Sequence, residues 1–120
     1  NMFSIKGDTV LDPFVGTGTT ILAAMCSQRN SIGVEIDHNF EELIVSQINN
    51  IVNFSNDIIK KRLKNHVEFI QKRIENGNKI KHINDYYKFP VITRQEVKLK
   101  LNLLEKIQKN GNLNYTVFYI

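Results

Sequence analysis

The feature that most constrains the fold is a pair of glycines near the start of the 120-residue chain. Residues 9–11 are a short apolar run that stops at Asp12-Pro13, which is typical of a buried strand. Gly16 and Gly18 follow in a tight turn, and residues 19–27 then have helical composition. Such a turn lets the backbone approach a ligand closely and presents the amides of a helix N-terminus to it.

A second strand is predicted over residues 31–36, where Gly33 and Glu35 lie. Residues 37–39 end it with polar side chains that would cap the next helix. The first 37 residues therefore predict strand, glycine turn, helix and strand, which is the βαβ unit of an open parallel sheet.

Apolar residues recur at steps of three and four from residue 40 to 76, which predicts helix almost throughout. Residues 53–57 are polar enough to divide that segment into two helices. Gly77 is then expected to end it. The fold class is α/β with a helical extension toward the C-terminus.

Thr93 and Glu96 have the spacing of a capping box, which predicts a further helix running to about Lys109. Gly111-Asn112 would turn the chain into a last strand over residues 115–120, which is rich in β-branched and aromatic residues. We expect residues 1–40 to form the ligand-binding unit and residues 41–120 a helical extension within the same domain.

Composition limits the class of protein. Hydrophobic residues make up 42% of the chain and charged residues 23%, with a net charge of +4, as expected of one small globular domain. No apolar run is long enough to cross a membrane, and no leader suggests export, so a cytoplasmic location is expected. The single cysteine, Cys26, is interpreted as a buried structural thiol, which suits a reducing compartment.

Basic residues are unevenly distributed. Eight of the 16 lysines and arginines lie between residues 60 and 81. A stripe that faces phosphates is one interpretation. A solvated helix face is the favoured one, because long surface helices are routinely rich in lysine.

Three classes of cofactor use a glycine turn of this kind. A phosphate-binding P-loop requires a lysine after the second glycine, and none follows Gly18. A nicotinamide fingerprint requires a third glycine at the position of Ile21. Asp12, just before the turn, would instead attract a cationic amino or sulfonium group and repel a diphosphate. The better fit is S-adenosylmethionine.

Glu35 is a second acid in the expected register. It lies 17 residues beyond Gly18, where a βαβ unit brings it beside the turn. An acid in that place can accept hydrogen bonds from both hydroxyls of a ribose. Together with Asp12 and the two glycines, it makes an ordinary turn the weaker interpretation.

The segments Asp12–Thr20 and Gly33–Asp37 resemble the cofactor motif of the amino-methylating DNA methyltransferases. They most resemble the permuted, beta-type group, in which the cofactor half comes at the C-terminus. The likeness is specific over residues 2–40 and looser over residues 89–96. It implies a Rossmann-like methyltransferase fold, of which this chain is a part.

The resemblance also implies roles for individual residues. Asp12, Phe14, Gly16 and Gly18 would hold the methionine and adenosine parts of S-adenosylmethionine, and Glu35 the ribose. Thr19 and Thr20 would line the turn near the carboxylate of the cofactor. The complete set of expected cofactor-binding residues is Asp12, Pro13, Phe14, Gly16, Thr17, Gly18, Thr19, Thr20, Glu35 and Asp37; for Asp37 a helix-capping role explains the residue equally well.

These enzymes place a short Pro-Pro-Tyr-type loop against the flipped target base. The two prolines of this chain, Pro13 and Pro90, are not adjacent. Residues 84–87 are interpreted as a polar turn with packing tyrosines. The base-binding loop and the target-recognition region would both precede residue 1 in the permuted order, so no catalytic residue is assigned.

Three hypotheses stay open. The chain is a subunit of a split DNA methyltransferase completed by a partner chain, part of a longer polypeptide (Asn1 before Met2 is compatible with trimming), or a non-catalytic binding module. An RNA or protein methyltransferase fragment is an alternative, because the cofactor motif says little about the acceptor.

A missing half would leave apolar surface exposed, inviting a partner or a homodimer. No metal site is expected, because the three histidines lack ligand spacing.

Overall fold

A computed structural model describes residues 3–120, so the expectation for Asn1 and Met2 lies outside the described residues. The chain divides into two compact units. Unit 1 comprises the residues up to Asn56 together with Asn102–Ile120, and unit 2 comprises Asp57–Leu101. The predicted division at residue 40 stays a prediction.

The predicted βαβ unit is present in unit 1. Strand β1 is Thr9–Asp12, helix α1 is Thr19–Cys26 and strand β2 is Asn30–Gly33. The strands are parallel neighbours, with Leu11 opposite Ile32. Strand β2 ends sooner than the predicted residue 36, so Glu35 lies just beyond it.

Helix α2, Asn39–Glu75, is a single element, and the break considered at residues 53–57 is absent. Ser55 is buried there, and the Asn56 side chain hydrogen-bonds to both backbone groups of Leu104. Gly77 has a φ of +82° and lies just past the helix end, as predicted.

The predicted helix from Thr93 to Lys109 is wrong. The capping box of Thr93 and Glu96 is present, but it opens only a short 3-10 helix, Arg94–Glu96. The chain then enters an antiparallel hairpin of β5, Leu104–Gly111, and β6, Asn114–Tyr119. Apolar and polar residues alternate over residues 97–102, and a period of two favours extended chain. The helical extension therefore consists of α2 alone, and the last predicted strand is confirmed.

The core of unit 1 joins α1, α2 and the hairpin. Met25, Ile48, Ile51 and Leu104 are its buried members, and Leu104 is 1% exposed. Cys26 is partly buried against this cluster rather than fully enclosed. Because α1 packs against α2 and the hairpin in this core, the glycine turn that precedes α1 is attached to a well-packed element.

Unit 2 is organised by one buried amide. Asn84 lies in the turn between β3, His82–Ile83, and β4, Pro90–Val91. Its side chain donates to the carbonyls of Glu96 and Leu99 and accepts from the N–H groups of Tyr86 and Tyr87. Tyr87 stacks on Phe89 with ring centroids 5.3 Å apart. The predicted polar turn is confirmed, but of its two tyrosines only Tyr87 packs as predicted, because Tyr86 is 56% exposed.

Over residues 3–120 no helix combines the length and the apolar character that a membrane crossing requires.

Candidate functional site

The glycine turn is built on positive backbone angles. Gly16 has a φ of +52° and Gly18 a φ of +87°, a region that side-chain-bearing residues rarely adopt. The Gly18 N–H donates to the Val15 carbonyl at 2.9 Å, and α1 begins at the next residue. A Cβ on Gly18 would lie 3.0 Å from Ile44 of α2. Gly18 therefore serves both the turn and the packing of α1 against α2.

Backbone hydrogen bonds hold the turn to the end of β2. The Val34 N–H donates to the Asp12 carbonyl at 2.9 Å, and the Val15 N–H donates to the Val34 carbonyl at 3.0 Å. The parallel pairing thus continues past both strands and sets the residues after β1 beside those after β2.

Gly33 makes this close approach possible. A Cβ at Gly33 would overlap Val15 and lie 2.8 Å from the Ile21 side chain. Gly33 lies in the segment that resembles the cofactor motif, but it is not one of the expected cofactor-binding residues. The available signal was a glycine inside a strand, which often marks a close backbone approach.

Glu35 is bonded directly to the turn. Its Oε2 accepts the Gly16 N–H at 2.7 Å and its Oε1 accepts the Asp37 N–H at 2.9 Å. These backbone donors, with Asp37 first and Gly16 next, lower the pKa of Glu35 below its ordinary value. The carboxylate is therefore ionised at neutral pH and directed at the glycine turn.

Asp12 lies at the carboxyl end of β1. The Thr20 hydroxyl and the Phe14 N–H, which donates to Oδ1 at 3.0 Å, lower the pKa of Asp12. Thr20 belongs to the first turn of α1, so its hydrogen bond joins that helix to Asp12 at the end of β1. A second ionised carboxylate thus lies beside the turn.

The other expected residues occupy the surface of the turn. Phe14 is 87% exposed, and Pro13, Thr17 and Thr19 are exposed as well. The hydroxyls of Thr17 and Thr19 are 3.3 Å apart. The structure thus brings the glycine turn and Glu35 together in one hydrogen-bonded group, with Val15 and Gly18 buried and Pro13, Phe14, Thr17 and Thr19 exposed.

Asp37 has the geometry of the helix-capping role that was the alternative to cofactor binding. Its carboxylate accepts the N–H of Asn39, the first residue of α2, at 2.9 Å. That is a helix-start contact, as the polar residues after β2 predicted.

A cleft of about 920 Å³ lies beside the turn within unit 1. Its walls come from β2, the start of α2 and the hairpin. Of the expected site residues, only Glu35 and Asp37 line it. Asp12 and Gly16 are partly exposed outside it, and Gly18 is buried against Ile44. Among residues 3–120 no three His, Cys, Asp or Glu side chains are grouped so that they could hold a metal ion.

The arrangement offers two ionised carboxylates and a helix N-terminus within one short turn. Carboxylate oxygens accept hydrogen bonds from hydroxyls and attract cations. The first-turn amides of a helix attract anionic groups. A ligand with a cationic centre, a diol and a carboxylate would match this set of groups.

Comparison with known proteins identifies relatives. Residues 1–46 match a DNA methylase family. Over 99% of its length the chain is 49% identical to the Type II methyltransferase M.MthZI of Methanothermobacter thermautotrophicus. Over 47 residues, which are 39% of its length, it is 62% identical to the Type II methyltransferase M.MjaI of Methanocaldococcus jannaschii. Over 93% of its length it is 28% identical to the Type II methyltransferase M.HpaI of Haemophilus parainfluenzae.

The chain spans only part of each relative. It covers 32% of M.MthZI, 16% of M.MjaI and 39% of M.HpaI. No solved structure matches the chain.

Proposed function

We propose that the chain is the S-adenosylmethionine-binding part of an amino-methylating DNA methyltransferase, because residues 1–46 match a DNA methylase family and nearly the whole chain is similar to part of a Type II methyltransferase. The complete enzyme transfers a methyl group to the exocyclic amino group of adenine or cytosine at a specific DNA site. The base-binding loop and target recognition come from the other two thirds of that enzyme, whether as a partner chain or as the same polypeptide.

The observation that carries the proposal is the hydrogen bond between Glu35 and Gly16. At 2.7 Å it joins the second acid to the turn that Asp12 precedes. An acid that followed a strand by chance would not be expected to bond to a glycine turn 19 residues earlier. Glu35 and Gly16 therefore support one ligand site rather than two unrelated local structures.

The residues present fit S-adenosylmethionine in their chemistry. The Glu35 carboxylate has about four lone-pair sites, and the backbone N–H groups of Asp37, Gly16 and Ile36 use three, which leaves one for a ribose hydroxyl. Asp12 supplies negative charge for a cationic group. No atom lies within 4 Å of the position of a Cβ on Gly16, so there is room for a ligand against the backbone. Phe14 offers an exposed aromatic face.

When bound, S-adenosylmethionine supplies a methyl group on a sulfonium centre. Methyl transfer to an amino nitrogen depends more on position than on acid or base strength. The part of this chain is to hold the cofactor: Glu35 orients the ribose, and Asp12 with Phe14, Gly16 and Gly18 holds the methionine and adenosine parts. Thr19 and Thr20 line the turn where the cofactor carboxylate would lie.

One face of the β1–β2 sheet supports the need for a completing partner. Leu11 and Ile32 are opposite each other and are 65% and 57% exposed, and Val34, two residues on, is 55% exposed. Parallel strands are usually covered on both faces, because their crossover helices pack there. The remaining two thirds of the methyltransferase would cover this face.

Reconstitution tests the proposal. The chain is co-expressed with the portion of M.MthZI that lies outside the 32% it aligns with, and tritiated methyl transfer to duplex DNA is measured. We expect methylation from the mixture, none from either part alone, and at least tenfold less with Glu35→Gln. Methylation by the M.MthZI portion without the chain, or an associated complex with no transfer, would refute the assignment.

A further inference from the structure

Charge is sharply divided between the two units. Twelve of the 16 lysines and arginines but only five of the 12 acidic residues lie in unit 2, which gives it a net charge of +7. The rest of the chain holds four basic and seven acidic residues and has a net charge of −3. A modest overall charge of +4 therefore conceals a strongly basic unit.

The basic side chains of unit 2 face solvent. All twelve are exposed. Along α2, the described ion pair is Lys64 with Glu68, at 3.9 Å between two exposed side chains. A pair of this length on the surface contributes little. This pair therefore neutralises little of the positive charge of unit 2.

Three of these basic residues line one concavity. A pocket of about 160 Å³ in unit 2 is lined by Arg73, Lys79 and Lys81, with Asn78 and His82 beside them and no carboxylate among its walls. The Asn78 backbone and side chain both donate to the Arg73 carbonyl, at 3.0 and 3.1 Å. This helix-end contact places the two lysines beside the arginine.

Arg73 also contacts an aromatic side chain. Its guanidinium lies 5.6 Å from the centre of the Phe69 ring. Contact with an aromatic ring engages the flat face of a guanidinium and leaves its N–H edges available. Those N–H groups and two lysine ammonium groups suit the oxygens of a phosphate.

Favourable interaction with the helix dipole explains a cation at the end of α2 such as Arg73. It does not explain Lys79 and Lys81, which lie beyond the helix and reach the same concavity. We propose that unit 2 is a DNA-backbone-binding module in which Arg73, Lys79 and Lys81 hold a phosphodiester. The inference rests on the proposed function, because that function makes duplex DNA the substrate.

Binding of a fluorescent 20-base-pair duplex to the full chain tests the inference. Affinity is measured by anisotropy over a range of salt concentrations for the unaltered chain and for Lys79→Gln/Lys81→Gln. Each phosphate contact contributes roughly 0.9 to the slope of log K against log salt. Loss of two contacts is therefore expected to reduce that slope by about 1.8 and to weaken binding roughly ten- to thirtyfold at 0.15 M salt.

The matched control is Lys106→Gln/Lys109→Gln, which removes two exposed lysines from β5 in unit 1. We expect its affinity to stay within twofold of the unaltered chain. Equal losses in both double variants would mean that net charge alone attracts DNA, and no loss in either would place the contact elsewhere; each result overturns the inference. Tighter binding to single-stranded RNA or to anionic lipid vesicles than to the duplex overturns it too.

Cofactor binding separates this inference from the proposed function. Calorimetry with S-adenosylmethionine is run on the same two double variants, neither of which alters the glycine turn. Duplex binding that depends on Lys79 and Lys81 in a chain that does not bind S-adenosylmethionine supports the inference and refutes the cofactor site. Binding of S-adenosylmethionine without duplex binding that depends on Lys79 and Lys81 supports the proposed function and overturns the inference.

Discussion

At the scale of the residue, Gly33 contributes as much to the site as the charged side chains do. It carries no functional group, yet its missing Cβ lets Val15 and Ile21 pack against β2. Without that approach the residues after β1 and β2 could not share hydrogen bonds, and Glu35 would not reach Gly16.

We therefore predict that Gly33→Ala destabilises the chain by roughly 1–3 kcal/mol, the usual effect of overpacking. Gly111→Ala is the control, because a Cβ there would meet no atom within 4 Å. Urea denaturation followed by circular dichroism measures both. Equal midpoints for the two variants would contradict the close packing at Gly33.

The Glu35 hydrogen bonds predict a dependence of stability on pH. Since folding lowers the pKa of Glu35 below its ordinary 4.5, the ionised carboxylate stabilises the folded state above that pH. This contribution is lost as the pH falls through the lower, folded-state pKa. Glu35→Gln should therefore be less stable than the unaltered chain at pH 7 and should lose less stability on acidification.

Thermal unfolding midpoints at pH 7, 5 and 3 measure the effect. Glu42→Gln removes a carboxylate from an exposed position on α2 and serves as the control. If the unfolding midpoint of Glu35→Gln falls with pH as steeply as that of Glu42→Gln, Glu35 does not make these hydrogen bonds in solution.

The type of residue made much of the turn predictable. Asp12, Gly16, Gly18 and Glu35 were identifiable because charge and conformational freedom are properties of the residues themselves. Their roles toward a cofactor stay predictions. The importance of Gly33 was harder to foresee, because it depends on which side chains pack against it.

At the scale of the element, one amide links α2 to the hairpin. Asn56 donates to the Leu104 carbonyl at 2.8 Å and accepts the Leu104 N–H at 2.9 Å. Leu104 is buried at the first position of β5. The contact spans 48 residues, so the local sequence around Asn56 indicated a helix break instead of a long-range partner.

Asn56→Ala leaves both backbone groups of Leu104 without these partners in a part-buried place. We predict a loss of about 2 kcal/mol of unfolding free energy, since unsatisfied buried polar groups cost roughly 1–3 kcal/mol. Asn53→Ala, on the same helix but exposed, should change stability by less than about 0.5 kcal/mol. Similar losses in both variants, measured by urea denaturation, would contradict the bridging role.

The hairpin shows a different limit of sequence interpretation. The predicted capping box of Thr93 and Glu96 is confirmed, but a cap only starts a helix. The alternating residues after it favour extended chain, and β5 then pairs with β6 and covers the core around Leu104. Tertiary packing therefore decided the conformation that the local signal left open.

At the scale of the whole molecule, the chain corresponds to about a third of M.MthZI. Exposed Leu11, Ile32 and Val34 lie on a sheet face that a complete parallel α/β domain would cover. The relationship to DNA methylases was predictable because it depends on contiguous motifs. The charge division between units 1 and 2 was only partly visible, because the unit boundaries come from packing.

We propose that the glycine turn and Glu35 form one cofactor site. The most direct measurement is calorimetric titration of S-adenosylmethionine into the chain, Glu35→Gln and Glu42→Gln. We predict one site in the unaltered chain, the same affinity with Glu42→Gln, and binding about 10- to 100-fold weaker with Glu35→Gln, as expected for lost hydrogen bonds to a charged group. Equal affinity in all three folded proteins would contradict the claim.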